Sequence, residues 1–214
     1  MRSPRSSAPT QTAAFADYDR DGDLDLYVGG EASPHVPCRC HLYRRDGDRN
    51  VDVTDAAGVA NERYAKGVAW GDVDGDGDQD VLEVIGGAYP GDAFRNALFE
   101  NPGDGNHWVT LRLVGVDSPR CAIGARVTVV VRDGGAERRI CRQVDQGGSF
   151  AGNPLRLTIG LSRADRIEAI EVRWPRSGSV QRFPGVPLDR GARLVEGRDA
   201  PEALALPALP IRRG

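Results

Sequence analysis

The sequence predicts an all-β chain: a partial β-propeller of two blades followed by a small β-sandwich-like domain. Three observations carry that prediction. Gly and Pro make up 41 of the 214 residues, about 19% against an average near 12%, which suits short strands and turns better than long helices. A nine-residue aspartate pattern occurs twice, in matching surroundings. Beyond Asn106 the chain changes to longer stretches in which apolar and polar residues alternate.

The repeat comes first in the chain. Phe15-Ala16-Asp17-Tyr18-Asp19-Arg20-Asp21-Gly22-Asp23-Leu24-Asp25-Leu26 aligns with Trp70-Gly71-Asp72-Val73-Asp74-Gly75-Asp76-Gly77-Asp78-Gln79-Asp80-Val81 at an offset of 55. Each copy runs into a short apolar stretch ending in Gly29-Gly30 or Gly86-Gly87. Leu42-Tyr43-Arg44-Arg45-Asp46-Gly47-Asp48 then matches Leu98-Phe99-Glu100-Asn101-Pro102-Gly103-Asp104 at an offset of 56, and residues 51–59 link the two units. Several short strands and turns in a period of this length mark propeller blades, which must stack because one blade cannot bury its own faces. Residues 1–11 read as a disordered N-terminus, 12–105 as the two blades, 106–198 as the second β domain and 199–214 as a flexible tail.

Seven strands are expected in the second domain: 107–116, 123–132, 136–144, 155–159, 167–174, 180–183 and 192–196. Asp133-Gly134-Gly135 and Pro175-Arg176-Ser177-Gly178 fit the turns between neighbours. Residues 161–166 read as a single helical turn. Seven short strands in about 90 residues indicate a small sandwich or barrel.

The aspartate windows carry the chemistry. Five Asp at alternate positions repel one another unless a cation sits among them, and Ca²⁺ takes 6–8 oxygen ligands. In such a loop positions 1, 3, 5 and 9 supply carboxylates, position 6 is a Gly that permits the turn, and position 7 offers its carbonyl. The first loop then uses Asp17, Asp19, Asp21 and Asp25 with the Asp23 carbonyl and Gly22 at the turn. The second uses Asp72, Asp74, Asp76 and Asp80 with the Asp78 carbonyl and Gly77. Two Ca²⁺ sites are therefore expected. Glu83 stands at position 12 of the second loop, as in a helical calcium hand. The flanks argue otherwise, since Leu26-Tyr27-Val28 and Val81-Leu82-Glu83-Val84-Ile85 read as strands.

These loops and their flanks resemble FG-GAP/VCBS repeats, the calcium-loop blades of integrin-type propellers. The stretch from Gly105-Asn106-His107-Trp108-Val109 through Ala122-Ile123-Gly124-Ala125-Arg126-Val127 to Val172-Arg173-Trp174-Pro175 is similar to the ASPIC/UnbV domain. The pairing resembles the cartilage acidic protein family and its bacterial homologues. That resemblance covers roughly residues 12–197. It implies a non-catalytic calcium-binding or scaffold module, secreted or on the cell surface, that takes a protein or glycan ligand. Those bacterial homologues include UnbV-type proteins of enediyne gene clusters, which imply an alternative, an accessory factor or enzyme in natural-product biosynthesis. Family members carry about seven blades, so this chain reads as truncated or as the C-terminal end of a longer protein. The 148–160 stretch lacks the polar Gln and His of relatives, and no role of theirs transfers to it.

The formal charge of −3 hides an asymmetry: residues 1–105 hold 10 basic and 20 acidic side chains, residues 106–214 hold 18 and 11. The spread of Arg over alternating strand positions, with few aromatics between them, reads as a solvated face, a docking surface for the acidic blades, or a surface for an anionic glycan. Nucleic acid is not expected. No apolar run approaches the ~18–20 residues of a membrane helix. Residues 1–10 lack the apolar stretch of a secretory signal, leaving a cytoplasmic chain or one whose export signal lies outside it. His35, Cys38, Cys40 and His41 could ligate Zn²⁺ or form a plain loop. Cys121 and Cys141, near one hairpin, fit either a disulfide or two thiols. Gly148-Ser149-Phe150-Ala151 lacks the last glycine of a nucleophile elbow, and no catalytic residue is assigned. Two blades leave strand edges uncovered, which predicts self-association.

Overall fold

The computed structural model describes residues 10–30, 39–61, 65–86, 94–147 and 152–206, and every regular element among them is a β-strand. Strands β1 (Thr10–Ala16), β2 (Asp25–Gly30), β3 (His41–Asp46) and β4 (Arg49–Asp52) form an antiparallel sheet in sequence order. Strands β5 (Ala65–Gly71), β6 (Asp80–Ile85) and β7 (Ala97–Phe99) form a second sheet of the same kind. The repeat survives as register. Phe15 faces Leu26 as Trp70 faces Val81, and the pairing slips between Thr10 and Thr12 as it does between Ala65 and Gly67. Tyr27 pairs with Leu42 and Leu82 with Leu98, so the one-residue change of offset falls in the connection after β2 and β6. This meander, used twice, is the blade pattern of a partial propeller.

The two sheets stack on a shared core of small and aromatic residues, among them Ala14, Tyr27, Leu42, Val68, Trp70 and Val81. The Tyr27 ring meets Trp70 edge-on at 6.0 Å, the geometry that the ring quadrupoles favour. Strand β6 alternates in an unexpected sense. Glu83 is fully buried, while Leu82 and Val84 are exposed together with Leu98. Glu83 is tolerated inside because its carboxylate accepts hydrogen bonds from the Tyr27 hydroxyl and the Asn61 amide, each at 2.5 Å. That removes Glu83 from the second aspartate loop. Both loops are flanked by strands, so the helical calcium-hand pattern does not apply.

The remaining strands are β8 (His107–Val114), β9 (Arg126–Asp133), β10 (Ala136–Gln143), β11 (Leu157–Ser162), β12 (Arg166–Arg173), β13 (Val180–Phe183), β14 (Arg190–Val195) and β15 (Glu202–Leu204). They form two sheets, ordered β10-β9-β12-β13 and β11-β8-β14-β15, with β8 and β14 parallel. Alternate residues of both, such as Val127, Val129, Ile170, Leu111, Ile159 and Leu194, meet in one core, which makes the unit a sandwich. Trp174 is fully buried there and its indole N–H donates to Gln181 at 3.0 Å.

Two local expectations change, and one open alternative is decided. Residues 161–166 form no helical turn: β11 runs to Ser162, whose φ is +55°, and the Ala164 N–H closes a tight turn on the Leu161 carbonyl at 3.2 Å. The expected tail is strand at Glu202–Leu204, paired with β14, because Glu202 ion-pairs with Arg193 and Arg198. Cys121 and Cys141 are exposed free thiols. Among the described residues no helix is long and apolar enough to cross a membrane.

One buried carboxylate closes the sandwich. Glu196, 8% exposed, accepts from the backbone N–H of Val116 and Ser118 and from the Ser118 hydroxyl at 2.8–2.9 Å. Burial alone pushes its pKa up, but these donors outweigh burial and hold it below the ordinary glutamate value. Its contribution is therefore complete above the unfolded value and is lost as pH falls through the lower folded one. Glu196→Gln is expected to cost about 2 kcal/mol at neutral pH. In urea titrations the gap from the parent chain should close on acidification; a gap that widens would contradict this.

Candidate metal centres

Each aspartate window is the loop between the first two strands of a blade, Asp17–Leu24 after β1 and Asp72–Gln79 after β5. The same bonds fold both. The first Asp accepts from the turn glycine, Asp17 from the Gly22 N–H at 3.3 Å and Asp72 from the Gly77 N–H at 3.2 Å. Asp19 and Asp74 each accept from the N–H two residues on at 3.4 Å. Asp21 and Asp76 do the same at 2.7 and 3.0 Å. Positive φ at Gly22 (+99°) and Gly77 (+93°) makes the turn possible. Carboxylate oxygens of Asp17, Asp19 and Asp21 consequently lie within 4.8 Å of one another, as do those of Asp72, Asp74 and Asp76.

The other four candidate residues are placed differently. Asp25 accepts from the N–H groups of Tyr18 and Arg45 at 3.0 and 2.8 Å, and Asp80 from those of Val73 and Asn101 at 2.9 and 2.8 Å. Each ties its loop to the next strand or connection. The Asp23 side chain is half exposed near Arg45. Asp78 is buried, and its carboxylate lies 3.0 Å from the Arg20 guanidinium.

Burial and mutual repulsion dominate the electrostatics of the clusters. Burial, with Asp21 adding repulsion, pushes Asp19 up to about 6, and burial pushes Asp17 to about 6 against the pull of Arg142. Burial likewise raises Asp72 and, with Asp76 beside it, Asp74. Crowded carboxylates of this kind favour their ionised form when a positive charge joins them. The donor set is all hard oxygen, which fits Ca²⁺ or Mg²⁺ and not a thiolate-seeking metal.

Residues missed by the sequence lock these loops to the sandwich. Arg142 of β10 donates to Asp17 and to the Gly22 carbonyl, both at 3.0 Å, and Arg138 donates to the Asp21 carbonyl at 2.9 Å. The Gly160 N–H also donates to Asp17 at 3.0 Å, and the Ser162 N–H to the Arg20 carbonyl at 2.8 Å. Arg20 bridges the two loops, pairing with Asp78 and with Asp104 at 3.0 Å. Gly77 lies against the Trp108 indole, where a Cβ would come within 2.0 Å of the ring. The charge split between the chain halves was the available signal, and it pointed to this docking without naming the pairs. The second metal candidate is divided: His35 and Cys38 lie outside the described residues, Cys40 is buried, and His41 faces Asp52 at 3.0 Å.

Two stacked blade sheets with an acidic loop each, docked on a two-sheet sandwich, define a repeat-plus-sandwich protein of the propeller class. Residues 115–201 match the family model for "ASPIC and UnbV", so the second unit carries that domain. The match begins one residue after β8, a strand the sandwich needs in the middle of its second sheet. In an alignment 196 positions long that covers 85% of the chain, it is 30% identical to cartilage acidic protein 1 of Mus musculus. It spans 28% of that relative's length.

Proposed function

We propose that the chain is a calcium-stabilised, non-catalytic binding module of extracellular or cell-surface type, with one Ca²⁺ in each aspartate loop. The observation that carries this is the recurrence of one three-carboxylate cluster, built by the same bonds, in two loops 55 residues apart. Asp17, Asp19 and Asp21 would hold the first ion, and Asp72, Asp74 and Asp76 the second, with Asp25 and Asp80 fixing the loop ends and the Asp23 and Asp78 carbonyls available as further oxygens. A bound ion supplies the positive charge that lets these carboxylates stay together ionised. Extracellular placement agrees with the weak calcium affinity usual for such modules, which only millimolar calcium satisfies. The match to a cartilage acidic protein supports the same placement.

At a Kd near 10⁻⁴ M, millimolar Ca²⁺ stabilises by about 1.4 kcal/mol per site. The thermal midpoint should thus drop by about 4 °C per site on chelation. Asp19→Ala and Asp74→Ala should each lose one site's share of that response. A midpoint equal in calcium and chelator, with both variants silent, would defeat the reading.

A further inference from the structure

The described part of the second unit contains 16 arginines, and their partners are unevenly distributed. Twelve donate to a carboxylate or a backbone carbonyl, for example Arg132 to Glu168, Arg139 to Glu171, Arg142 to Asp17 and Arg193 to Glu202. Among the described residues Arg112, Arg120, Arg126 and Arg156 have no such hydrogen-bonded partner. All four line two adjoining clefts. One, of about 690 Å³, runs between the aspartate loops and β9–β11 and is lined by Arg126, Arg142, Arg156, Gln79 and Gln143, with Asp17, Asp72 and Asp145 also on its wall. The other, of about 730 Å³, is lined by Arg112, Arg120 and Arg156 beside β8 and β14. Pro154 and Arg156 border both, so the clefts form one groove with Arg156 at its centre.

We propose that this groove binds an acidic glycan through its sulfate or carboxylate groups. A guanidinium fork matches such anions with paired, charge-assisted hydrogen bonds, and clefts between domains are where ligand sites concentrate. The Gln79 and Gln143 amides, which line the first cleft, offer donors and acceptors for sugar hydroxyls. Phe15, 56% exposed at the mouth of the first cleft, presents one apolar face for a sugar ring. A single-stranded nucleic acid would want several stacking platforms, and among the described residues Phe15 is the one aromatic side chain lining the groove. The inference rests on the binding-module reading; the first cleft shares Asp17 and Asp72 with the aspartate loops, but Arg112 and Arg120 line the second cleft, which holds no loop aspartate, so the chelation experiment can fail while this one succeeds.

The test is titration of the full chain, in millimolar calcium and near-physiological salt, with a heparin hexasaccharide, a neutral dextran oligomer and polyuridylate. The hexasaccharide should bind, and its affinity should fall about tenfold for Arg156→Gln. A several-fold loss is expected for Arg112→Gln and for Arg126→Gln, which modify opposite ends of the groove. Arg166→Gln removes the same charge from an arginine that pairs with Glu168 elsewhere on the sandwich, and should leave binding unchanged. Unaltered thermal midpoints would show that the variants fold. Equal binding of dextran, equal loss in Arg166→Gln, no measurable binding of the hexasaccharide, or tighter binding of polyuridylate through the same arginines would each overturn the proposal.

Discussion

Gly160→Ala is expected to destabilise the chain by about 3 kcal/mol and to loosen the junction between blades and sandwich. A Cβ at Gly160 would lie 2.2 Å from the Arg20 Cα and 2.5 Å from the Arg20 carbonyl oxygen. Both are backbone atoms, so no rotamer change relieves the collision. Relief requires β11 to separate from the first aspartate loop, which breaks the Gly160 bond to Asp17 and the Ser162 bond to Arg20. Gly152→Ala is the matched control: the nearest atom to its Cβ would be at 3.6 Å, an ordinary contact, and it should change stability by less than about 0.5 kcal/mol. Urea denaturation of the two variants decides. Equal midpoints would mean that the loop and β11 are not held together.

The blades were legible because the repeat aligns at two offsets, 55 and 56, and the apolar flanks of the two loops read as the strands that became β2 and β6. The sandwich strands were legible from alternation. Period two, however, states that Val81, Glu83 and Ile85 share a face without stating which face is covered. Placing Glu83 inside depends on Tyr27 and Asn61, 56 and 22 residues away, and no local pattern contains them. The same distance hid the role of position 9. Asp25 and Asp80 have the spacing of ligands, and they also accept from N–H groups of later segments, Arg45 and Asn101, a second role that spacing does not reveal. Residues 202–204 depart from the expected tail for the opposite reason. Its Pro-rich composition described chain ends in general, while Arg193 and Arg198 supplied a specific partner for Glu202.

Arg142→Ala should cost about 3 kcal/mol in calcium-free buffer and markedly less in millimolar calcium. The Arg142 guanidinium and Asp17 carboxylate form a pair that solvent barely reaches, with side-chain exposures of 12% and 1%. Deleting one partner of such a pair leaves a desolvated charge, which is the expensive outcome. Two N–H donors, from Gly22 and Gly160, stay on Asp17 and keep the loss below the upper end of that range. Asp17 is also the first carboxylate of the proposed calcium loop. An ion held by Asp17, Asp19 and Asp21 would supply the positive charge that the variant lacks, so calcium should rescue Arg142→Ala more than it stabilises the parent. Arg138→Ala gives the contrast. Arg138 reaches the same loop through the Asp21 and Leu161 carbonyls and not through a carboxylate, so its cost should not depend on calcium. Denaturant midpoints of both variants, with calcium and with chelator, form a double-mutant-style cycle between ion and side chain. A loss at Arg142 that is the same in both buffers would show that the guanidinium and the ion do not share Asp17, and that the acidic half of the chain answers to the basic half alone.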